Sequence, residues 1–343
     1  MSNKNFTLIL EAGVNHGGHF KNAVKLVEAA AESGAHYIKF QSYTSNHLAA
    51  KNSPSYWDLS EEPIRSQAEL FSKYDSLSCE DYYKLAKVSK SLGIGFMSTC
   101  FDSNWVDLLD PILTLYKIAS ADINNFQLMS KIASKNKPIV LSTGAATFTE
   151  IQSAITLIRK LNSKKITLLH CVLNYPTASE NASLGRITSL ARAFPEQEIG
   201  YSDHTKPGDS MQAIQIAYNL GAKVFEKHFT LDKSQKGNDH YHSFDKADAK
   251  EIISRLNSNY LMADYNERKF MDIQLDARKN ARRGLYALKE LAIGHVLTDN
   301  DIIPLRPALD KTGYNADQIN LIVGKIVKRK IPAGEPILES FLN

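Results

Sequence analysis

Cysteine is scarce: Cys79, Cys100 and Cys171 are the only three in 343 residues. An odd number with no C-x-x-C pair excludes a disulfide framework and a zinc ribbon, and three reduced thiols are expected. Long apolar runs are missing as well. The first strand-like run, residues 6–10, is too short for a signal peptide, and no later run reaches the ~20 residues of a membrane span, so a cytoplasmic protein with no membrane partner is expected. Charge of one sign is also lacking. A formal net charge of +4 implies no nucleic-acid partner, although a mildly basic surface suits small anionic substrates. Finally, no G-x-G-x-x-G follows the first strand-like run, which counts against an open dinucleotide-binding sheet.

What is present is repetition. Residues 6–10 end at Glu11, a loop follows, and an amphipathic stretch over 20–33 is closed by Gly34, which reads as strand, loop, helix. Runs of the same kind recur at 37–41, 94–98, 115–119, 138–142, 166–170, 199–201 and 222–226, with helix-like stretches at 80–92, 149–161, 207–220 and 246–263. About eight strands alternating with helices over ~250 residues predict an α/β fold, the closed (β/α)8 TIM barrel. Residues 43–78 interrupt the spacing and read as an insertion: part of a lid, a dimer contact or a plain surface excursion, with no chemistry assigned. After 263 the texture changes. Residues 269–283 are charged, and β-like pieces punctuated by Gly and Pro follow at 284–289, 292–297, 302–307, 321–325 and 331–336, predicting a small β-rich domain. The expected boundaries are 1–270 for the barrel, 271–283 for a linker and 284–343 for the C-terminal domain.

Barrel enzymes build their sites where the strands end. The residues closing each run are Glu11; Lys39 and Gln41; Ser98 and Thr99; Lys117, Ser120 and Asp122; Ser142 and Thr143; His170 and Tyr175; Ser202 and His204; and His228. Two lysines among so many hydroxyls have the chemistry of a phosphate or phosphate-plus-carboxylate site. The competing reading pairs both lysines with carboxylates such as Glu11. His204 and His228 suit Mn²⁺, Zn²⁺ or Fe²⁺ used as a Lewis acid, or else each is a hydrogen-bonded structural histidine. Two protein ligands are few, so weak and exchangeable binding completed by substrate oxygens is expected.

These residues stand in ordered motifs: Glu11-Ala12-Gly13-Val14-Asn15-His16-Gly17, Lys39-Phe40-Gln41, Ser98-Thr99-Cys100-Phe101-Asp102, Lys117-Ile118-Ala119-Ser120, Leu141-Ser142-Thr143-Gly144, Tyr175-Pro176, Ser202-Asp203-His204-Thr205, Glu226-Lys227-His228-Phe229-Thr230 and Gly237-Asn238-Asp239-His240. Together they closely resemble the sialic acid synthase family. The tail, from Ala281-Arg282-Arg283-Gly284 through Arg306-Pro307 to Gly334-Glu335, resembles the antifreeze-protein-like SAF domain that ends those enzymes. The resemblance covers essentially the whole chain.

It implies a transferase that condenses phosphoenolpyruvate (PEP) with an N-acylated hexosamine to give a nine-carbon 2-keto acid, a nonulosonate, plus phosphate. The acceptor would be N-acetylmannosamine or a modified 2,4-diamino-trideoxy hexose. By resemblance the PEP site comprises Lys39, Thr99, Lys117, Ser120, Ser142 and Ser202, and the sugar site includes Gln41, Tyr175 and Arg306. His204 and His228 would hold a divalent metal, manganese first, with magnesium, cobalt or iron as alternatives. Glu11 is the leading catalytic acid or base, with Asp122 and Asp239 as rivals. Arg306 would reach the barrel of a partner in a domain-swapped homodimer. Three departures from the family pattern bear on the sugar. Asp122 stands where many members carry Glu, Leu173 replaces an asparagine, with Asn174 beside it, and His242 is added to a segment that more often reads Gly-Pro-Asp-His. His240 and His242 are read equally as loop histidines or substrate contacts. Two alternatives are a PEP-dependent synthase with another acceptor, for which no arginine-lined phosphosugar site is found, and a non-catalytic carbohydrate-binding protein. Charged groups at nearly every strand end speak against the second.

Overall fold

The computed structural model describes residues 5–237, 239–307 and 313–343. Eight parallel strands pair in sequence order: β1 Thr7–Gly13, β2 Tyr37–Ser42, β3 Gly95–Cys100, β4 Tyr116–Ile118, β5 Ile139–Ser142, β6 Ile166–His170, β7 Glu198–Asp203 and β8 Val224–His228. The last pairs back with the first, closing the expected barrel. Local chemistry explains the alternating helices. Helix Phe148–Leu161 opens on a capping box in which Thr147 and Glu150 satisfy each other's backbone N–H, and it buries Ile151, Ala154, Ile155 and Ile158 along one stripe. Such a cap contributes about 1 kcal/mol. Helix Phe20–Ser33 stops at Gly34, whose φ of 85° is the left-handed conformation that glycine adopts without steric cost.

Side chains alternate between the two faces of each strand, and this sorts the barrel interior into layers. Ile9, Met97, Val140, Leu169 and Val224 pack into a small apolar plug. Two residues further along the same chain segments come Glu11, Thr99, Ser142, Cys171 and Glu226, all lining one cavity. The outward faces pack against the helices in the main core. Packing inside the barrel is tight at Gly200, where a Cβ would stand 2.2 Å from the Val224 carbonyl oxygen and 2.5 Å from Leu169 Cδ2. Since neither backbone nor plug can yield cheaply, a Gly200→Ala change should cost about 1–3 kcal/mol through overpacking.

Contacts divide the chain into two units, Met1–Met262 and Ala263–Asn343. The second begins with two short helices, Glu267–Asp272 and Leu275–Ala281, then pairs β9 Gly284–Ala287 antiparallel with β10 Ile302–Leu305. Here the sequence expectation needs correction. The pieces around 292–297, 321–325 and 331–336 are not strands: they make single bridges, such as Leu291 with Ile331 and Val296 with Ile326. Gly294, Gly324 and Gly334 each take a positive φ, turning the chain before a ladder can extend. A separate core including Leu285, Leu297, Ile322, Ile331 and Leu342 holds the unit together. Among the described residues no helix is long and apolar enough to cross a membrane.

Candidate active site

Strand register places the polar residues side by side. Glu11 is level with Lys39 on one side and His228 on the other; Thr99 is level with Gln41 and Lys117; Ser202 is level with Glu226. Along β7 and β8 the alternation splits two neighbouring triplets. Ser202, His204, Glu226 and His228 line the cavity, while the intervening Asp203 and Lys227 point away into a fully buried ion pair of 2.7 Å. Tyr201 and Thr205 hydroxyls also donate to Asp203. Burial alone would raise the Asp203 carboxyl, but Lys227, together with Ser210 and Tyr201, holds it at about 2. The buried Lys227 ammonium is itself pushed below the usual lysine range, because desolvation outweighs Asp203.

The cavity measures about 540 Å³, within the 300–1,000 Å³ that small-molecule sites occupy. On its floor Lys39 Nζ lies 2.5 Å from Glu11 Oε2 and donates to Thr99 Oγ1 at 3.2 Å. Gln41 donates to the other Glu11 oxygen at 2.9 Å. Burial pushes the Glu11 carboxyl up despite Lys39. Glu226 sits between both lysines, 3.7 Å from Lys39 and 3.7 Å from Lys117, and accepts from Ser202 at 3.0 Å. Burial raises the Glu226 carboxyl, but Lys117 and Lys39 outweigh it and hold the group at about 2. Lys117 is pushed down by burial. Both lysines therefore face carboxylates, as the competing reading of the sequence had it, and the cavity is not the positively charged bowl that a phosphate site suggested.

Every residue expected in the PEP, sugar, metal or catalytic sets except Arg306 lines this one cavity, whereas three other strand-end residues turn away from it: Ser98 donates to the Phe40 carbonyl, Thr143 to the Leu169 carbonyl, and His170 bonds the Ala182 carbonyl. Ser120 accepts from the Gly144 N–H at 2.9 Å and touches Cys171. Asp122 is half-buried, raised by burial, and accepts from Asn125. The Tyr175 ring stacks at a tilt 4.3 Å from His204. Arg306 is exposed and belongs to the second unit. Leu173 also lines the cavity, at the position where an asparagine was expected. Of the two histidines left open, His240 is tied to Thr230 Oγ1 at 2.7 Å, whereas His242 is completely buried beside His228, with ring centroids 4.9 Å apart.

Two features escaped the sequence. Glu226 was passed over as part of a strand, although it lies two residues before His228 and so shares its face. The insertion over 43–78, given no chemistry, supplies Leu48, Tyr56, Trp57, Leu70, Phe71 and Tyr74 to one side of the cavity. The aromatic residues Tyr43, Tyr56, Trp57, Phe71 and Tyr74 stand out in an otherwise polar segment, but nothing in their spacing says where they fold.

The donor set fits a divalent cation. The cavity carries the carboxyls of Glu11, Asp122, Glu226 and Asp239 against two lysines, so with all ionised it holds an excess of negative charge that an anionic substrate could not enter unaided. His228 Nδ1 is 3.4 Å from Asp239 Oδ2, and both are buried. The ligating atoms of His228, Asp239 and His242 lie within 4.8 Å of one another, a possible metal site. His204 stands outside that group, its ring 5.5 Å from that of His228. Burial pushes the His204 imidazole down to about 3, so the ring is neutral at pH 7. Its Nδ1, 2.8 Å from the Val172 carbonyl, must be the donor, and Nε2 is left with the lone pair a metal requires.

A closed parallel barrel with a charged, hydroxyl-rich mouth and a separate SAF domain defines a barrel enzyme whose chemistry sits at the strand ends. The chain belongs to the NeuB family, whose model matches residues 26–267, and the SAF domain model matches residues 282–343. It is 34% identical over 337 residues to an N,N'-diacetyllegionaminic acid synthase of Legionella pneumophila, covering 96% of this chain and 93% of that one. Identity to the synthase of the same name from Campylobacter jejuni is 35% over 349 residues, covering 98% and 100%. Among solved structures, an N-acetylneuraminic acid (sialic acid) synthetase of Leptospira borgpetersenii in complex with citrate superposes with a TM-score of 0.69 at 28% identity, over 81% of this chain and 94% of that one. The named relatives are acid synthases, and this chain is an enzyme of the sialic acid synthase type.

Proposed function

We propose that the enzyme condenses PEP with an N-acylated amino-sugar aldehyde to give a nonulosonate and inorganic phosphate. The observation that carries this reading is the convergence of Lys39, Lys117, four hydroxyl side chains (Thr99, Ser120, Ser142 and Ser202) and Glu11 in one cavity of a chain of this family. Lys117, Thr99, Ser120 and Ser142 bind the phosphate, and Lys39 with Ser202 binds the carboxylate. C3 of the enol phosphate forms a bond to C1 of the aldehyde, whose oxygen takes a proton from the Glu11 carboxyl. The positive charge left at C2 is stabilised by the phosphate-bearing oxygen and by the nearby Glu226 carboxylate. Water adds to C2 and returns a proton to Glu11, which burial makes a stronger base than a free carboxylate. The hydroxyl on C2 then gives its proton to the departing phosphate as the C2–O bond breaks, and the ketone forms. A divalent cation, manganese first, would be held by His204 and His228 and supplies Lewis acidity towards the acceptor carbonyl. Asp122, Asp239, Gln41 and Tyr175 position the sugar.

For the acceptor we favour a 2,4-diacetamido-trideoxy hexose over N-acetylmannosamine. The apolar wall from the insertion suits a deoxy methyl group and a second acetyl group better than free hydroxyls, and the legionaminic acid synthases are relatives over nearly the full chain. We place the reaction in the cytoplasm, in a domain-swapped homodimer where Arg306 of one chain completes the sugar site of the other. Phosphate release from PEP with Mn²⁺ and a panel of acceptors tests this. Turnover is expected with the diacetamido sugars. Turnover only with arabinose 5-phosphate or erythrose 4-phosphate would point to another synthase, and none with any acceptor would favour a carbohydrate-binding role. A chain ending before Gly284 should lose turnover; full activity of that barrel would remove Arg306 from the site.

A further inference from the structure

The segment after β8 carries a histidine, His242, that the sequence leaves open between a loop residue and a substrate contact. His242 is fully buried, and neither of its ring nitrogens has a hydrogen-bond partner. A neutral imidazole has one donor and one lone pair, and burying both without a partner is costly, so such a group calls for a ligand. The rings around it belong to Tyr175, His228 and Tyr241. The Tyr241 hydroxyl is already committed to the Tyr175 carbonyl. Nearby, His228 Nδ1 also lacks a hydrogen-bond partner, and Asp239 lies between the two histidines, 3.4 Å from His228 Nδ1 and 3.8 Å from His242 Nε2.

We propose that His242, with Asp239, adds to the metal site of His204 and His228, so that this chain holds its ion through three imidazoles and one carboxylate before either substrate arrives. The backbone is laced for that task. Phe244 N–H donates to the His228 carbonyl at 2.8 Å and Thr230 N–H to the Phe244 carbonyl at 2.9 Å. Asn15 bridges Phe229 and Ser243, donating at 3.0 and 3.1 Å, and Thr230 anchors His240. His242 is thus fixed to the end of β8 independently of any substrate. Ligands at about 2.1 Å from one ion lie at most about 4.2 Å apart, so the present 4.8 Å group closes on an ion by small side-chain rotations. Three histidines and a carboxylate leave the remaining positions open for substrate oxygens, and imidazole with carboxylate suits Fe²⁺ or Mn²⁺. The consequence is a retained metal, in place of the weak, exchangeable one that two ligands imply.

The inference shares its cavity with the condensation reading, so its test measures binding and never turnover. The full-length protein, stripped with chelator, is titrated with Mn²⁺ by calorimetry in the absence of substrate, beside His242→Asn and His242→Phe. One ion per chain is expected for the parent and a dissociation constant at least ten-fold weaker for both variants, with unchanged melting of the metal-free proteins. In the Co²⁺-loaded forms the visible absorption should change in both variants. Equal Mn²⁺ affinity and an unaltered Co²⁺ spectrum would overturn the assignment. Should the variants fail to fold, anomalous diffraction from the Mn²⁺-loaded parent decides: a peak within about 2.3 Å of a His242 nitrogen upholds it, and a peak bound by His204 and His228 without His242 refutes it.

Discussion

The Asp203–Lys227 pair lies behind the active site and allows a demanding test. Both side chains are fully buried and 2.7 Å apart. Lys227 also donates to the Thr205 carbonyl at 2.5 Å and lies over the Phe244 ring. Lys227→Met removes the counter-ion and strands a carboxylate in the layer between barrel and helices. Breaking a buried pair on one side costs about 3–5 kcal/mol, which for a unit of this size lowers the melting temperature by about 6–20 °C. Asp203→Asn should fall in the same range, since it strands the ammonium. The double variant Asp203→Asn, Lys227→Met leaves no buried charge, and its loss should be smaller than the sum of the singles by at least about 2 kcal/mol. The assay is selective because Trp57 and Trp105 are the only tryptophans and both lie in the first unit, so tryptophan fluorescence reports barrel unfolding alone. If the double variant loses as much as the two singles added together, the pair is not coupled and the reasoning fails.

Three further outcomes follow from the same geometry. Glu11→Gln keeps the contact to Gln41 but removes the base, so kcat for phosphate release should fall about 10²–10⁴-fold with little change in KM for PEP; unchanged kcat would remove Glu11 from catalysis. Tyr56→Ala opens the apolar wall and should raise KM for a diacetamido acceptor several-fold while leaving that for PEP alone, and an equal rise in both would mean the wall does not select the sugar. His16 is buried and held neutral, its imidazole pushed from 6.5 down to about 4 by desolvation. Between those values the unfolded chain takes up a proton that the folded chain refuses, so stability drops as pH falls through 6.5 towards 4, by about 3 kcal/mol at the lower end. His16→Asn should flatten that part of the melting profile, and a profile as steep as the parent's would contradict it.

The barrel was legible because its eight apolar runs alternate with helical stretches, a signal spread over most of the chain. The mouth was legible because the residues ending each run converge in any such barrel. Glu226 was not, because a charged residue inside an apolar run looks like noise until the period of two is followed from His228 backwards. The aromatic wall was out of reach for a different reason: nothing in residues 43–78 says which way the insertion folds, and only three-dimensional closure brings Tyr56 and Phe71 over the strand ends. The charge balance was also hidden. Lys39 and Lys117 announced a phosphate site with Glu11 as a visible partner, while Glu226, the acid between the two lysines, lies on β8, far along the chain from both.

The split of β7 and β8 into cavity-facing and helix-facing residues constrains how this enzyme can change length. Deleting or inserting a single residue upstream in β8 would rotate Lys227 into the cavity and drive Glu226 and His228 under the helices, exchanging the ion-paired residue for the cavity-lining ones. Such a change cannot be repaired by side-chain substitution nearby. Variation in length should therefore be confined to places where no two-residue frame is read, such as the insertion beside the cavity, and acceptor preference is free to drift there while the reacting centre is held still.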